Sequence, residues 1–139
     1  MGYTFIEFRK QGFDAKDFTL EVWLALLVDE IDSLPELPAW LRETRDDWEV
    51  QATGHFGYGV MPDLDLHLRE DTRHMVILEC SSAALKSLKF LGDPISKEAM
   101  NGIRDWGEGY QYTRDVPAHL YLQTAENFIR LLAGIAISS

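Results

Sequence analysis

The chain has 139 residues, 46% of them hydrophobic and 26% charged, enough for one domain with a sizeable core and too apolar for a disordered segment. Thirteen Lys and Arg against 23 Asp and Glu leave a formal net charge of −10. That argues against a general nucleic-acid surface, because neutralising phosphates takes clustered cations, and it permits a basic protein as partner.

The lone cysteine, Cys80, rules out an internal disulfide and suits a reducing compartment. Glu7, Arg9 and Lys10 interrupt the apolar run that a signal peptide requires, and Gly2 with Ile6 lacks the myristoylation pattern. The most apolar stretch, Val22 to Val28, falls far short of the roughly 20 residues of a membrane span. A cytoplasmic protein away from membranes is expected. Without repeats, low-complexity tracts or linkers, residues 1–139 read as a single helical domain.

Taken in chain order, Tyr3 to Arg9 is aromatic and β-branched with weak alternation, which predicts a short strand that Gly12 breaks. Asp17 is placed to cap a helix running to about Asp32. Inside it Leu20, Val22, Trp23, Leu24, Leu26, Leu27, Val28 and Ile31 cover nearly the whole circumference, so this helix should be the central, buried one. Pro35 and Pro38 stiffen the connector to a second helix, about Pro38 to Thr53. Its spacing turns Leu37, Trp40, Leu41, Thr44, Trp48 and Ala52 inward and Arg42, Glu43, Arg45, Asp46, Asp47 and Glu49 outward.

The run Asp63 to Arg69 alternates like a strand but carries Leu64 and Leu68 at helical spacing, and a short helical turn is the preferred reading. A third long helix is expected from Asp71 or Thr72 to Leu91, packing Met75, Leu78, Leu85 and Leu88 and stopped by Gly92. Ser96 has the character of an N-cap, with Ile95 and Met100 as a hydrophobic staple, for a short helix ending before Gly107. The last helix starts near Pro117 and uses Leu120, Leu122, Ala125, Phe128, Ile129 and Leu132 before Gly134. The expected fold is all-α or nearly so, about five helices in a compact antiparallel bundle-like domain with one short N-terminal strand.

Charge is unevenly spread. Residues 29–71 hold twelve acids and three bases, whereas residues 72–139 hold seven of each. The excess centres on the polar face of the second helix, where Glu43, Asp46, Asp47 and Glu49 would steer a basic partner. The alternative reading is a solvated helix face that only keeps the protein soluble. Two glycine-bearing loops, His55 to Gly59 and Trp106 to Tyr112, combine pliable backbone with Phe56, Tyr58 and Tyr110. These aromatics are either interface anchors or side chains folded back over the core edge.

Reactive groups are sparse. Asp63, Asp65 and His67 have metal-ligand composition, but they share one side only if the segment is a strand; on a helix they splay apart. No metal and no cofactor is expected, since neither glycine loop has a phosphate-cradling pattern. Cys80, mid-helix beside Ser81 and Ser82, reads as a packed thiol without the setting that activates a nucleophile.

The run Phe8-Arg9-Lys10-Gln11-Gly12-Phe13, then Leu20 to Leu27, Trp40-Leu41-Arg42 and Arg45-Asp46 with Trp48, resembles small bacterial helical proteins akin to the immunity proteins of polymorphic or contact-dependent toxin systems. The resemblance implies a small acidic cytoplasmic protein that binds and blocks a cognate toxin, the acidic patch masking a basic cleft. The expected function is therefore non-enzymatic protein binding through Glu43, Asp46, Asp47, Glu49, Phe56, Tyr58 and Tyr110. The alternatives are a structural or regulatory helical subunit, including a homodimer, and a metal-dependent enzyme built on Asp63, Asp65 and His67.

Overall fold

A helix apolar on every side is stable only when other elements enclose it. In the computed structural model, which describes residues 2–53, 60–107 and 109–137, that helix is α1 (Asp17–Asp32). Thr19, Leu20, every residue from Val22 to Val28, and Ile31 are buried in it. Around it lie a hairpin of β1 (Tyr3–Phe8) and β2 (Gln11–Lys16), and the helices α2 (Ala39–Thr53), α3 (Leu64–His67), α4 (Arg73–Phe90), α5 (Lys97–Ile103) and α6 (His119–Ala133). The described residues are thus mostly helical, with one two-stranded antiparallel sheet at the N-terminus. No helix among them is long and apolar enough to cross a membrane.

The hairpin departs from the expected single strand. β1 and β2 pair from Tyr3 opposite Lys16 to Phe8 opposite Gln11, so the sheet runs straight through Gly12. The turn residues are Arg9 and Lys10, both at positive φ (52° and 70°). That backbone matches the twist of the flanking strands, but its usual signature is Asn-Gly. Gly12 has a packing role: a Cβ there would lie 2.5 Å from Phe5 Cζ and also collide with the Ile6 carbonyl oxygen, so the Phe5 ring covers the missing side chain. Ile6, Phe8, Phe13 and Ala15 face the core, while Tyr3 and Phe5 stay 67% and 56% exposed on the outer face.

Asp17 does not cap α1. The cap position is Lys16, without a side-chain bond to the helix. The Asp17 carboxylate instead accepts from Thr4 Oγ1 at 2.6 Å, and its N–H donates to the Gly2 carbonyl at 3.0 Å. These contacts tie the start of β1 to the junction between hairpin and helix.

The remaining helices follow their apolar stripes, with two differences in which side chains are inside. In α4 the buried face is Ile77, Cys80, Ser81, Ala84 and Leu88. Met75, expected inside, is 58% exposed. In α6 the buried face is Tyr121, Thr124, Ala125, Asn127, Phe128, Leu131 and Leu132, leaving Leu120, Leu122 and Ile129 half-buried at its edge. Trp48 and Phe128 meet edge-on with ring centres 6.4 Å apart, and Trp23 meets Phe128 at 5.8 Å.

Ser96 does cap α5, its side chain accepting from the Ala99 N–H at 3.1 Å, and the staple partners Ile95 and Met100 are both fully buried. Gly134 ends α6 in the left-handed region at φ 73°. The stretch between α5 and α6 is ordered by side chains. The Asn101 amide exchanges two hydrogen bonds with the Tyr112 backbone, and Trp106 Nε1 donates to the Met100 carbonyl at 2.9 Å.

Two substitutions test this account of the hairpin. Gly12→Ala drives a methyl into Phe5 and the Ile6 carbonyl and should cost about 1–3 kcal/mol, read as a lower urea midpoint. Replacing Arg9 and Lys10 together by Asn and Gly should raise the midpoint, gaining about 1 kcal/mol, because both positions then hold residues that accept positive φ. A midpoint unmoved by the turn replacement would count against a strained turn.

Candidate functional site

The acidic surface foreseen on α2 divides into charges used inside the molecule and charges left to solvent. Asp47 Oδ2 lies 2.8 Å from His67 Nε2, joining α2 to α3. Glu49 receives Arg104 through Nε at 3.1 Å and Nη2 at 3.1 Å. The same guanidinium donates from Nη1 to Asp29 at 2.7 Å and from Nη2 to the Ala25 carbonyl at 3.3 Å. Arg104 therefore binds the end of α5 to α1 and α2, with its side chain only 16% exposed. Burial alone would lower its pKa, but the bonds to Glu49 and Asp29 outweigh this and hold it deeper in its charged range.

Arg45, on the α1 side of α2, forms a fork onto Asp32 at 2.9 and 3.1 Å. Its hydrogen bond with Asp32 is the main reason its pKa is raised. Asp46 sits 3.4 Å from the same guanidinium and is 64% exposed. Glu43 is exposed and forms no ion pair with any described residue. With Leu37, Ala39 and Arg42, Glu43 and Asp46 line a shallow groove of about 420 Å³. Of the four acids expected to meet a partner, then, Glu43 and Asp46 face outward, while Asp47 and Glu49 are engaged in holding the fold.

Among the aromatic anchors, Phe56 and Tyr58 lie outside the described residues. Tyr110 is 57% exposed, and its N–H donates to the Gly107 carbonyl at 3.1 Å. Its neighbour Trp106 is buried edge-on against Tyr112, so this loop divides between one outward aromatic and two turned toward the core. Burial raises the pKa of both Tyr112 and Tyr121.

Asp63, Asp65 and His67 do not converge. Asp63 precedes α3 in a left-handed conformation (φ 54°), Asp65 accepts from the Arg9 N–H at 3.0 Å, and His67 turns to Asp47. The short helix splays them, as i, i+2 positions on a helix must. Among the described residues no group of three or more His, Cys, Asp or Glu is arranged to hold a metal ion. Cys80 is 4% exposed, and burial, reinforced by Glu30 and Glu79, pushes its thiol up to about 11, which leaves little thiolate at neutral pH.

A second groove of about 440 Å³ lies where the connector Leu34 to Pro38 passes α4, floored by Trp40, Leu41 and Val76. Arg73 stacks on the Trp40 ring there, its guanidinium carbon 5.0 Å from the ring centre, and bonds Glu70 at 3.2 Å. Neither Arg104 nor Arg73 stood out in the sequence. Arg104 is 55 residues from Glu49 and 75 from Asp29, so no local spacing could reveal it. No family model matches the chain, and no curated protein and no solved structure is significantly similar to it.

Removing the Arg104 guanidinium leaves Asp29 and Glu49 facing each other without their shared cation. Arg104→Ala should cost about 2 kcal/mol, whereas Arg42→Ala on the exposed face should stay within about 0.5 kcal/mol. Urea midpoints of the two variants check this, and equal losses would remove Arg104 from its place as the tie.

Proposed function

We propose that the chain is a non-enzymatic protein-binding protein that captures a basic partner on the outer face of α2. The supporting observation is the division of its acids. Glu49, Asp29 and Asp32 are paired with Arg104 and Arg45, and Asp47 is hydrogen-bonded to His67, while Glu43 and Asp46 stand with Arg42 around an open groove, Arg45 approaching Asp46 at 3.4 Å. Exposed acids beside an open groove steer a cationic surface and speed its association. Leu37 and Ala39 give that surface something apolar to cover.

The resemblance to immunity proteins makes the partner a cognate toxin acted on in the cytoplasm, with the acidic rim seated on a basic cleft. Nucleic acid is a poor occupant of this face for the same electrostatic reason. Tyr110, exposed on the loop after α5, is a further anchor in this reading.

A second reading, a homodimer or helical subunit, draws on exposed apolar side chains elsewhere. Phe90 is 92% exposed, Tyr3 67%, Met61 62% and Phe5 56%. Mass in solution separates the two readings: a stable dimer at micromolar concentration favours the subunit, and a monomer favours the binding protein.

Affinity capture from the source organism at low salt, then high salt, should yield one basic protein whose binding weakens with salt. With that partner in hand, the double reversal Glu43→Lys and Asp46→Lys should slow association about tenfold or more while leaving the melting temperature nearly unchanged. Asp47→Lys should lower stability through loss of the His67 pair. Association kinetics indifferent to both salt and the double reversal would dismiss the α2 face as the binding surface.

A further inference from the structure

A two-stranded sheet has two open edges, and the pairing of β1 with β2 fixes which main-chain groups lie on each. The Asp17 N–H donates to the Gly2 carbonyl at 3.0 Å, and Arg9 and Lys10 form a two-residue turn closed by Phe8 opposite Gln11. Bonded pairs alternate with unbonded ones along an antiparallel ladder. The even positions of β1, Thr4, Ile6 and Phe8, therefore spend their N–H and C=O groups on β2, and the odd positions aim theirs away from it. At the end of that outward row the Asp65 carboxylate takes the Arg9 N–H at 3.0 Å. Before it, the main-chain groups of Phe5 and Glu7 bond to no described residue.

Phe5, Ile6 and Glu7 form one wall of a groove of about 220 Å³ whose other wall is Met61 to Asp65, the approach to α3. The lining holds three exposed acids, Glu7, Asp63 and Asp65, and no base. Asp65 keeps one oxygen on the Arg9 N–H, and Glu7 and Asp63 form no ion pair with a described residue. The Arg9 guanidinium lies on the Phe8 ring instead, 4.8 Å from its centre. Phe5 and Met61 add exposed apolar surface on either side.

We propose that this edge takes up an extended basic segment of a partner protein, which joins β1 as a third strand. In such additions main-chain bonds supply affinity and alternate side chains supply selectivity. Paired antiparallel, one residue of the segment exchanges both bonds with Phe5, and the residue two away exchanges both with Glu7. The pleat puts the side chain of that second residue on the same face as the Glu7 carboxylate, where a lysine or arginine is matched. Asp63 and Asp65 on the opposite wall favour further cations. The same acids select against other occupants. A second copy of the chain would bring Glu7, Asp63 and Asp65 of two grooves together, and an acidic segment would meet all three. The edge is separate from the groove on α2 and does not depend on the function proposed above.

NMR titration of the full chain with a blocked hexapeptide of alternating lysine and valine tests the proposal. At saturating peptide the Phe5 and Glu7 amide protons should shift and exchange with solvent about tenfold or more slowly. Those of Ile6 and Phe8, already paired with β2, should keep their rates. The glutamate–valine counterpart should not bind. Methylating the main-chain nitrogens of the lysines, which face β1, should weaken binding about tenfold. Methylating those of the valines, at equal charge, should leave it within about twofold. Glu7→Gln and Asp63→Asn should each weaken it about threefold, the worth of one exposed ion pair, with the melting temperature unchanged. The distant pair Glu43→Lys and Asp46→Lys should leave it nearly unaltered. Binding indifferent to the site of methylation, shifts confined to α2, a dimer whose Phe5 and Glu7 amides are protected without peptide, or no binding at all would each overturn the proposal.

Discussion

A helix apolar on every side loses roughly 1.5–3 kcal/mol for each large side chain left in water. In α1 that applies to Leu20, Val22, Trp23, Leu24, Leu26, Leu27, Val28 and Ile31 together, and all eight are buried. The rest of the chain is an envelope that meets this demand. α2, α4 and α6 pack on α1 as long helices, and α5 and β2 close smaller contacts on it. Trp23 and Trp48 both meet Phe128 at the centre.

The envelope leaves an electrostatic problem, since the segment that wraps α1 also carries most of the excess negative charge. The fold answers it with a few guanidinium and imidazole groups at the joints. Arg104 ties α1 and α2 to the end of α5, Arg45 ties α2 back to α1, and His67 ties α3 to α2. Each joint gives acids on neighbouring elements a hydrogen-bonding partner. Glu43, without an ion pair to a described residue, and the exposed Asp46, held only at 3.4 Å by Arg45, are the acids of α2 least engaged by the fold. In the proposed reading, α2 serves both fold and recognition, with Asp47 and Glu49 holding the fold and Glu43 and Asp46 left toward solvent.

Much of the helical framework was legible because each long helix carries its own punctuation. Pro38 precedes α2, Gly92 follows α4, Ser96 caps α5 and Gly134 ends α6, and the structure places each boundary close to those residues. The hairpin was half hidden for an equally local reason. Arg9 and Lys10 occupy a turn whose backbone normally selects Asn and Gly, and Gly12 looks like a break until the Phe5 ring is seen lying over it. The inner faces of α4 and α6 were misjudged at Met75 and at Leu120, Leu122 and Ile129 because periodicity ranks residues by polarity, whereas burial depends on which neighbour lies opposite.

The sequence alone determined the helical class, the centrality of α1, the inert burial of Cys80 and the location of the charge excess. All four rest on composition and short-range spacing, which act within a few residues. Which acids are spent and which are free, why Asp63, Asp65 and His67 point apart, and the meeting of Thr19 with Thr124 were decided by tertiary structure. Those facts depend on pairs such as Thr19 with Thr124, 105 residues apart, whose contact exists only once the chain has closed around α1.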